Sequence, residues 1–300
     1  MITSTIKTKV IANKPLQKGN STYYKMTLGL ESPIKKIIPG QFIHLKLTDN
    51  LPAWTYGQSG TNPLLRRPFT VFDFNGRNSI EVVYQLVGKG TRLMSTIKPG
   101  GKIDLLGPLG NGFTINKKAD VSLLVGGGIG IACLHLLLKE LKGTKYLFIG
   151  ARTKKDLVLL PLLKKHTKNV IVTTEDGSLG KKGLVTEALD DFICKFEGNI
   201  QIYACGPIGM NSAVQEFSLE QKIPAQISLE ERMGCGIGLC RVCVCKTAVS
   251  PANRGKTLPK IRSAGTDPIP PWREPGLSQA SWHWSTVCED GPVFDAQDLL

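Results

Sequence analysis

Hydrophobic and polar positions alternate in short runs over the first third of the chain. TYYKMTLGL (22–30), QFIHLKLTD (41–49), FTVFDF (69–74) and SIEVVYQLV (79–87) are rich in β-branched and aromatic residues, with Pro39-Gly40, Asn75-Gly76 and Pro99-Gly100-Gly101 between or after them. Short strands punctuated by turn signals predict a small antiparallel barrel. Asn75-Gly76 is the clearest hairpin turn, because both residue types tolerate positive φ.

After Phe113 the rhythm changes. VSLLVG (121–126), KYLFIG (145–150), NVIVTT (169–174) and IQIYAC (200–205) read as buried strands. IACLHLLLKEL (131–141), DLVLLPLLKKH (156–166, despite Pro161), LVTEALDDFICKF (184–196) and a segment near 209–221 read as the helices between and after them. Strand alternating with helix predicts a doubly wound parallel sheet of at least four strands, with ligands bound at the strands' carboxyl ends. Cys133 and Cys194 fall in helical patterns and are expected in the core. From 225 a cysteine-rich loop follows. The stretch 250–285 is rich in Pro, Gly and Ser and carries Trp272, Trp282 and Trp284. Proline at that density excludes regular structure through much of it, so an irregular insertion is expected. The chain divides into 1–113, 114–224 and 225–300.

At 300 residues and 41% hydrophobic content the chain can bury two or three cores. No run approaches 18 apolar residues, and the first twenty residues carry Lys7, Lys14 and Lys18 without an apolar core. Neither a membrane span nor a secretion signal is read, and the expected location is the cytoplasm. Eight cysteines in that setting favour reduced thiols and metal ligation over disulfides. The net charge of +14 raises nucleic acid as a partner. The lysines are scattered as pairs such as Lys35/Lys36 and Lys181/Lys182, which suits solvated faces, and no nucleic-acid partner is expected.

The sharpest chemical signal is Cys235, Cys240 and Cys243, a C-x4-C-x2-C run with glycines at 234, 236 and 238. This is the plant-type spacing for a [2Fe–2S] cluster, which needs a fourth cysteine from farther along. The glycines let the backbone curl so that amides point at the sulfurs. A zinc site, usually built from paired CxxC knuckles, and cysteines buried as small hydrophobes are the alternatives. Gly126, Gly127, Gly128 and Gly130 (GGGIG) lie between a strand and a helix, where amides favour a phosphate; a plain tight turn is the alternative. Ile131 stands where the dinucleotide fingerprint has its third glycine, and the next strand ends in Gly150-Ala151-Arg152 without an acid, so the nucleotide arrangement differs from that fingerprint. Cys205-Gly206-Pro207 closes the fourth strand at the same sheet edge. In the first region Arg66-Arg67-Pro68-Phe69-Thr70 suits an anionic cofactor along a strand edge, and Gly88-Lys89-Gly90-Thr91 supplies amides and a hydroxyl for a diphosphate.

Taken together, RRPFT, YQLVGKGT, IDLLGPLGNGF, VGGGIG, TEDGSLGKKG, YACGP, ERMGCGIGLCRVCVC and VCEDGPVF resemble the electron-transfer subunits of type B dihydroorotate dehydrogenases, within the ferredoxin-reductase family. The resemblance covers nearly all of the chain except 250–285. It implies an FAD-binding β-barrel, a nicotinamide-binding α/β domain and a small C-terminal [2Fe–2S] domain. It further implies that Arg67, Pro68, Phe69 and Thr70 hold FAD, that Val83, Tyr84 and Gln85 line the flavin, and that Gly90 and Thr91 meet its diphosphate. The glycines at 126–130 and Cys205, Gly206 and Pro207 would face NAD, and Cys235, Cys240, Cys243 and Cys288 would bind the cluster. The implied partner is an FMN-containing catalytic subunit, in a heterotetramer, serving pyrimidine synthesis. A flavin subunit of a ferredoxin:NADP or sulfide-type oxidoreductase is the runner-up, and a redox-inactive zinc- or nucleic-acid-binding module the rival from another class. The departure is length: the family's fourth cysteine follows the third after about a dozen residues, as a short hairpin would have it, whereas 44 residues separate Cys243 from Cys288 here. Closure entropy grows slowly with loop length, so the ligand survives such an insertion. Cys245 competes for the role, but on an extended backbone it points away from Cys243. For the nucleotide, Glu175 and Asp176 favour NADH, while Arg152, Lys154 and Lys155 would accept a 2′-phosphate.

Overall fold

A computed structural model describes residues 5–19, 21–47, 65–240 and 242–243, and the backbone of 293–295. The first sheet is built from β1 (Thr5–Pro15), β2 (Tyr23–Leu30), β3 (Phe42–Lys46), β4 (Arg67–Thr70), β5 (Asp73–Phe74), β6 (Ser79–Gln85) and β7 (Lys102–Leu109). Their order is β4-β3-β7-β1-β2-β6-β5, with every pair antiparallel. Alternation decides which side is buried: in β1, Ile6, Thr8 and Val10 point inward while Thr5, Lys7, Lys9 and Ile11 face out. Met26, Leu28, Ile43, Leu45, Ile80, Val82 and Ile103 fill the interior. The Asn75-Gly76 turn joins β5 to β6 as expected. Asn75 Oδ1 accepts from the amides of Arg77, Asn78 and Ser79, and Gly76 sits at φ +86°.

The helix α1 (Lys89–Thr96) crosses to β7, and the chain then enters a second sheet. This contains β8 (Val121–Gly127), β9 (Thr144–Ala151), β10 (Val170–Thr174), β11 (Lys181–Lys182), β12 (Ile200–Cys205), β13 (Ala225–Ser228) and β14 (Val293–Asp295), in the order β11-β10-β9-β8-β12-β13-β14. All pairs are parallel except β13 with β14. Strand order reverses at β8, so its carboxyl end and that of β12 flank the crevice where such sheets bind ligands. Every residue of β8 and β12 is buried, as a sheet covered on both faces requires.

Three expectations are corrected. The segment read as a helix over 131–141 is a 3-10 stretch, Gly128–Leu134, followed by a short helix, α2 (His135–Glu140). The tighter winding begins where Gly128 takes φ +54° and Gly130 presses on the end of β12. The helix over 156–166 shrinks to α3 (Leu160–Leu163), with Pro161 in its first turn, where a missing amide does no harm. Cys133 is buried, but Cys194 is exposed at the end of α4 (Val185–Ile193), on the face opposite Val185, Ala188 and Leu189. The last helix, α5 (Ile208–Glu220), lies where expected. The insertion at 250–285 with its tryptophans, and Cys245 and Cys288, lie outside the described residues.

The two sheets are sealed against each other. The rings of Phe72 and His135 stack with centroids 4.0 Å apart, His135 Nδ1 lies 2.9 Å from the Phe72 carbonyl, and Lys139 pairs with Asp73 at 2.5 Å. Their hydrophobic clusters meet there, with Phe72 and Val83 of the first sheet packed among Leu124, Ile131 and Leu134 of the second.

Candidate cofactor site

Between the two sheets opens a cavity of about 400 Å3. One wall is Arg67, Pro68, Phe69 and Thr70 of β4, and the next is Val83, Tyr84 and Gln85 of β6 with Val87 and Thr91. The far wall comes from the second sheet: Ile129, Ala132 and Cys133 after β8, Cys205 at the end of β12, and Ser228 through Met233 after β13. The sequence-expected flavin residues other than Gly90 therefore converge with Cys205 on one space. Gly40, Phe42, Cys133 and 228–230 also line it and were not assigned to it. Their only sequence signal is position, at a turn before a strand or just past a strand's end.

Charge is sorted locally. Arg66 is committed to the buried Asp104, forming an ion pair and donating to its carbonyl at 3.1 Å. Arg67 caps the Leu65 carbonyl at 2.8 Å and lines the cavity. Its Nε would lie 3.2 Å from a Cβ placed on Gly90, so the two glycine- and arginine-bearing turns meet side by side. Thr91 Oγ1 is engaged by the amides of Val87 and Gly88 and fastens the start of α1. Thr70 Oγ1 is buried with no well-formed hydrogen bond, only the Cys133 thiol reaching it. Buried hydroxyls are normally satisfied, so this oxygen fits a missing ligand atom. The Tyr84 hydroxyl donates to Asn13 at 2.8 Å and its ring stacks on Tyr24. Burial is the main cause that pushes its pKa far up, so the phenol stays protonated.

The turns after β8 and β12 interlock. A Cβ on Gly130 would stand 2.8 Å from Gly206 Cα and 2.9 Å from the Cys205 carbonyl oxygen, and none can be added without moving backbone. Asn211 ties the Gly206 carbonyl (3.0 Å) to that of Ser228 (3.2 Å), holding the end of β12 against β13. At the sheet's other side the amides of Glu175 and Asp176 bond to the carbonyls of Ala151 and Arg152, while the Lys154 amide donates to Ser178. The acidic and basic candidates for nucleotide choice thus share one rim.

From β13 the chain runs along the cavity into the cysteine loop. Cys235 Sγ accepts from the amides of Cys240 (3.3 Å) and Ile237 (3.5 Å), and Cys240 Sγ accepts from the Cys235 amide (3.3 Å). Desolvation pushes the Cys235 thiol up, but the Cys240 and Ile237 amides, with the Cys240 thiol, outweigh it and bring it down to about 7. Amides directed at sulfur favour the thiolate a metal ligand must be, so these two residues fit a cluster. Cys243 is fully buried. Among the described residues no three His, Cys, Asp or Glu side chains gather as a metal group. The loop rests on the first sheet: Gly236 (φ +74°) lies so close over the His44 ring that a Cβ there would be 2.5 Å from Cε1. His44 is wholly buried, neither ring nitrogen has a partner among the described residues, and desolvation followed by the nearby Arg66 charge lowers its pKa to about 4.

An antiparallel sheet and a doubly wound parallel sheet clasping one cavity, with a cysteine loop leaving the second, define an electron-transfer protein of the ferredoxin-reductase type. A solved structure of an NADH-dependent reduced ferredoxin-NADP oxidoreductase aligns with a TM-score of 0.72 and 26% identity, over 97% of this chain and 88% of that one. Residues 124–216 match the oxidoreductase NAD-binding domain family, and 230–257 the iron-sulfur cluster binding domain of dihydroorotate dehydrogenase B. The chain belongs to the family of dihydroorotate dehydrogenase B (NAD(+)) electron transfer subunits. It is 36% identical to that subunit from Caldanaerobacter subterraneus subsp. tengcongensis over 98% of both chains, and 34% identical to that from Bacillus velezensis over 92% of both. Among the described residues no helix is long and apolar enough to cross a membrane.

Proposed function

We propose that the chain carries electrons between NAD(H) and an FMN-containing dihydroorotate dehydrogenase catalytic subunit, through FAD and a [2Fe–2S] cluster, as part of a cytoplasmic heterotetramer serving pyrimidine synthesis. The observation that carries this is the single cavity on which Arg67–Thr70, Val83–Gln85, Cys205 and the segment leading to the cysteine loop converge. In such a site FAD would supply the conversion between two-electron hydride transfer and one-electron transfer to the cluster, chemistry that belongs to the cofactors.

The residues supply placement. Residues 1–113 act as the FAD domain, 114–224 as the NAD domain and 225–300 as the cluster domain. Arg67 offers a guanidinium to the flavin's diphosphate, with Gly90 and Thr91 at its side, and the Thr70 hydroxyl serves the flavin edge. Pro68, Phe69, Val83, Tyr84 and Gln85 exclude water from the ring system. Gly126, Gly127, Gly128 and Gly130, with Cys205, Gly206 and Pro207, receive the nicotinamide nucleotide. NADH is the expected donor on the likeness to the NAD(+)-linked relatives; Glu175 and Asp176 would repel a 2′-phosphate, while Arg152, Lys154 and Lys155 on the same rim would accept one.

Cys235, Cys240, Cys243 and Cys288 hold the cluster. The register of β14 leaves Cys288 within reach of the loop: Val293 pairs with Ser228, and Cys288 precedes Val293 by five residues while Cys235 follows Ser228 by seven. At about 3.3–3.6 Å per residue both segments reach a common point. Leu239 is 79% exposed and Val242 56% beside these cysteines, an apolar surface suited to the catalytic subunit.

The test is reconstitution. Mixed with the catalytic subunit of a relative, the protein should make dihydroorotate-dependent reduction of NAD+ appear that neither chain shows alone. Isolation with a larger iron–sulfur partner and no response to dihydroorotate would instead favour a ferredoxin:NADP-type flavin subunit, the reading to which the 26% identical neighbour lends weight.

A further inference from the structure

Two cysteines stand together on the cavity wall. Cys205 ends β12 and is the register partner of Ser228 on β13; partners on adjacent parallel strands lie about 4.8 Å apart with side chains on the same face. Cys133, on the 3-10 segment after β8, brings its Sγ to 3.5 Å from Ser228 Oγ. The same segment is pressed onto the end of β12, where Gly130 leaves no room for a Cβ against the Cys205 carbonyl. Both thiols line the cavity, and both residues are otherwise buried, at 3% and 1% exposure. They lie within hydrogen-bonding reach of each other, which lowers the pKa of Cys133 and, together with burial, raises that of Cys205.

We propose that Cys133 and Cys205 form an oxidisable dithiol, a modification site at which a peroxide closes an intramolecular disulfide. The Cys133 sulfur attacks one peroxide oxygen, the O–O bond breaks, and a sulfenic acid and one water result. The Cys205 sulfur then displaces the sulfenic oxygen as a second water, so two thiols and one hydrogen peroxide give one disulfide and two waters. A dithiol reductant reverses it by exchange. The consequence for activity rests on the proposed function: the disulfide removes a thiol from the wall that receives the nicotinamide, so NADH oxidation falls while the bond persists.

Trypsin isolates the pair cleanly, because peptides 119–139 and 196–222 each contain a single cysteine. The purified full-length protein is treated with hydrogen peroxide, alkylated and digested. The expected product is these two peptides joined and two hydrogens lighter than their sum, formed before the bulk of the Cys235 and Cys240 peptide is modified, and separated again by a dithiol. Turnover of NADH with an artificial acceptor should fall and recover in parallel, and Cys133→Ser should keep its own untreated rate under the same exposure. Absence of the linked peptide from folded wild-type protein overturns the proposal, as does an equal loss of turnover in Cys133→Ser. Cys205→Ser serves as a second variant for the peptide map should Cys133→Ser fold poorly. A linked peptide with unchanged turnover upholds the modification site and counts against the nicotinamide placement, so the two failures are distinguishable.

Discussion

Substituting Gly236 by alanine tests how the cysteine loop is joined to the flavin barrel. Gly236 has φ +74°, and its added Cβ would lie 2.5, 2.7 and 2.9 Å from three atoms of the His44 ring. A left-handed residue with a Cβ costs about 1–2 kcal/mol, and overpacking a buried contact adds about 1–3 kcal/mol. His44 is fully buried on β3, so the ring cannot swing into solvent and the loop must move instead. A total of about 2–5 kcal/mol weakens the seated loop by roughly 30-fold or more, at about 1.4 kcal/mol per factor of ten. Iron and FAD per chain are measured on purified Gly236→Ala protein, together with the rate at which NADH-derived electrons reach the cluster. Iron content and transfer should drop sharply while FAD stays near wild type. Adding His44→Ala should restore part of the loss, because it removes the clash and leaves the backbone strain. Full iron with unchanged transfer in Gly236→Ala would refute the packing argument.

Three further outcomes follow from single groups. Thr70→Val removes a buried hydroxyl that lacks a well-formed hydrogen bond, so FAD should bind more weakly by about 0.5–1.5 kcal/mol in a flavin titration, with no drop in the melting temperature of the FAD-free protein; unaltered FAD affinity would contradict the assignment. Cys288→Ser should lose iron and keep FAD, and retention of iron would move the fourth ligand to Cys245. His135 is buried and its pKa is lowered chiefly by desolvation, with His166 and Lys139 also lowering it against Asp73 and the Phe72 carbonyl. The native state therefore disfavours the imidazolium, so stability should be complete above the unfolded value of about 6.5 and decline as pH falls below it. The denaturation midpoint of His135→Gln should depend less on pH between neutrality and pH 5, and an unchanged slope would exclude this group.

Much of this was legible in the sequence because local and global signals agree. Asn75-Gly76 demands its turn, β8 and β12 are mostly apolar, and the cysteine spacing belongs to one kind of chemistry. The misread elements are those where tertiary contact overrides pattern. IACLHLLLKEL is apolar enough for a helix, yet the close approach of Gly130 to Cys205 winds its start tighter. Pro161 cuts a periodic run to a single turn. Cys194 matches a helical pattern but sits at the helix end, on the solvent face. The residues missed in the cavity, Gly40, Phe42, Cys133 and 228–230, share no motif. They meet because β3 begins, and β8 and β13 end, at the same cleft, a fact of topology that no local window contains. The pairing of Cys133 with Cys205, 72 positions apart, is of the same kind.

The most direct measurement of the central claim is an anaerobic NADH titration of the purified protein, followed by visible absorption and electron paramagnetic resonance. Superposed flavin and [2Fe–2S] bands that bleach together on NADH addition, with a reduced-cluster signal appearing and NADPH acting more slowly, are predicted. A colourless protein, or a flavin that NADH reduces while an intact cluster stays oxidised, would contradict the account.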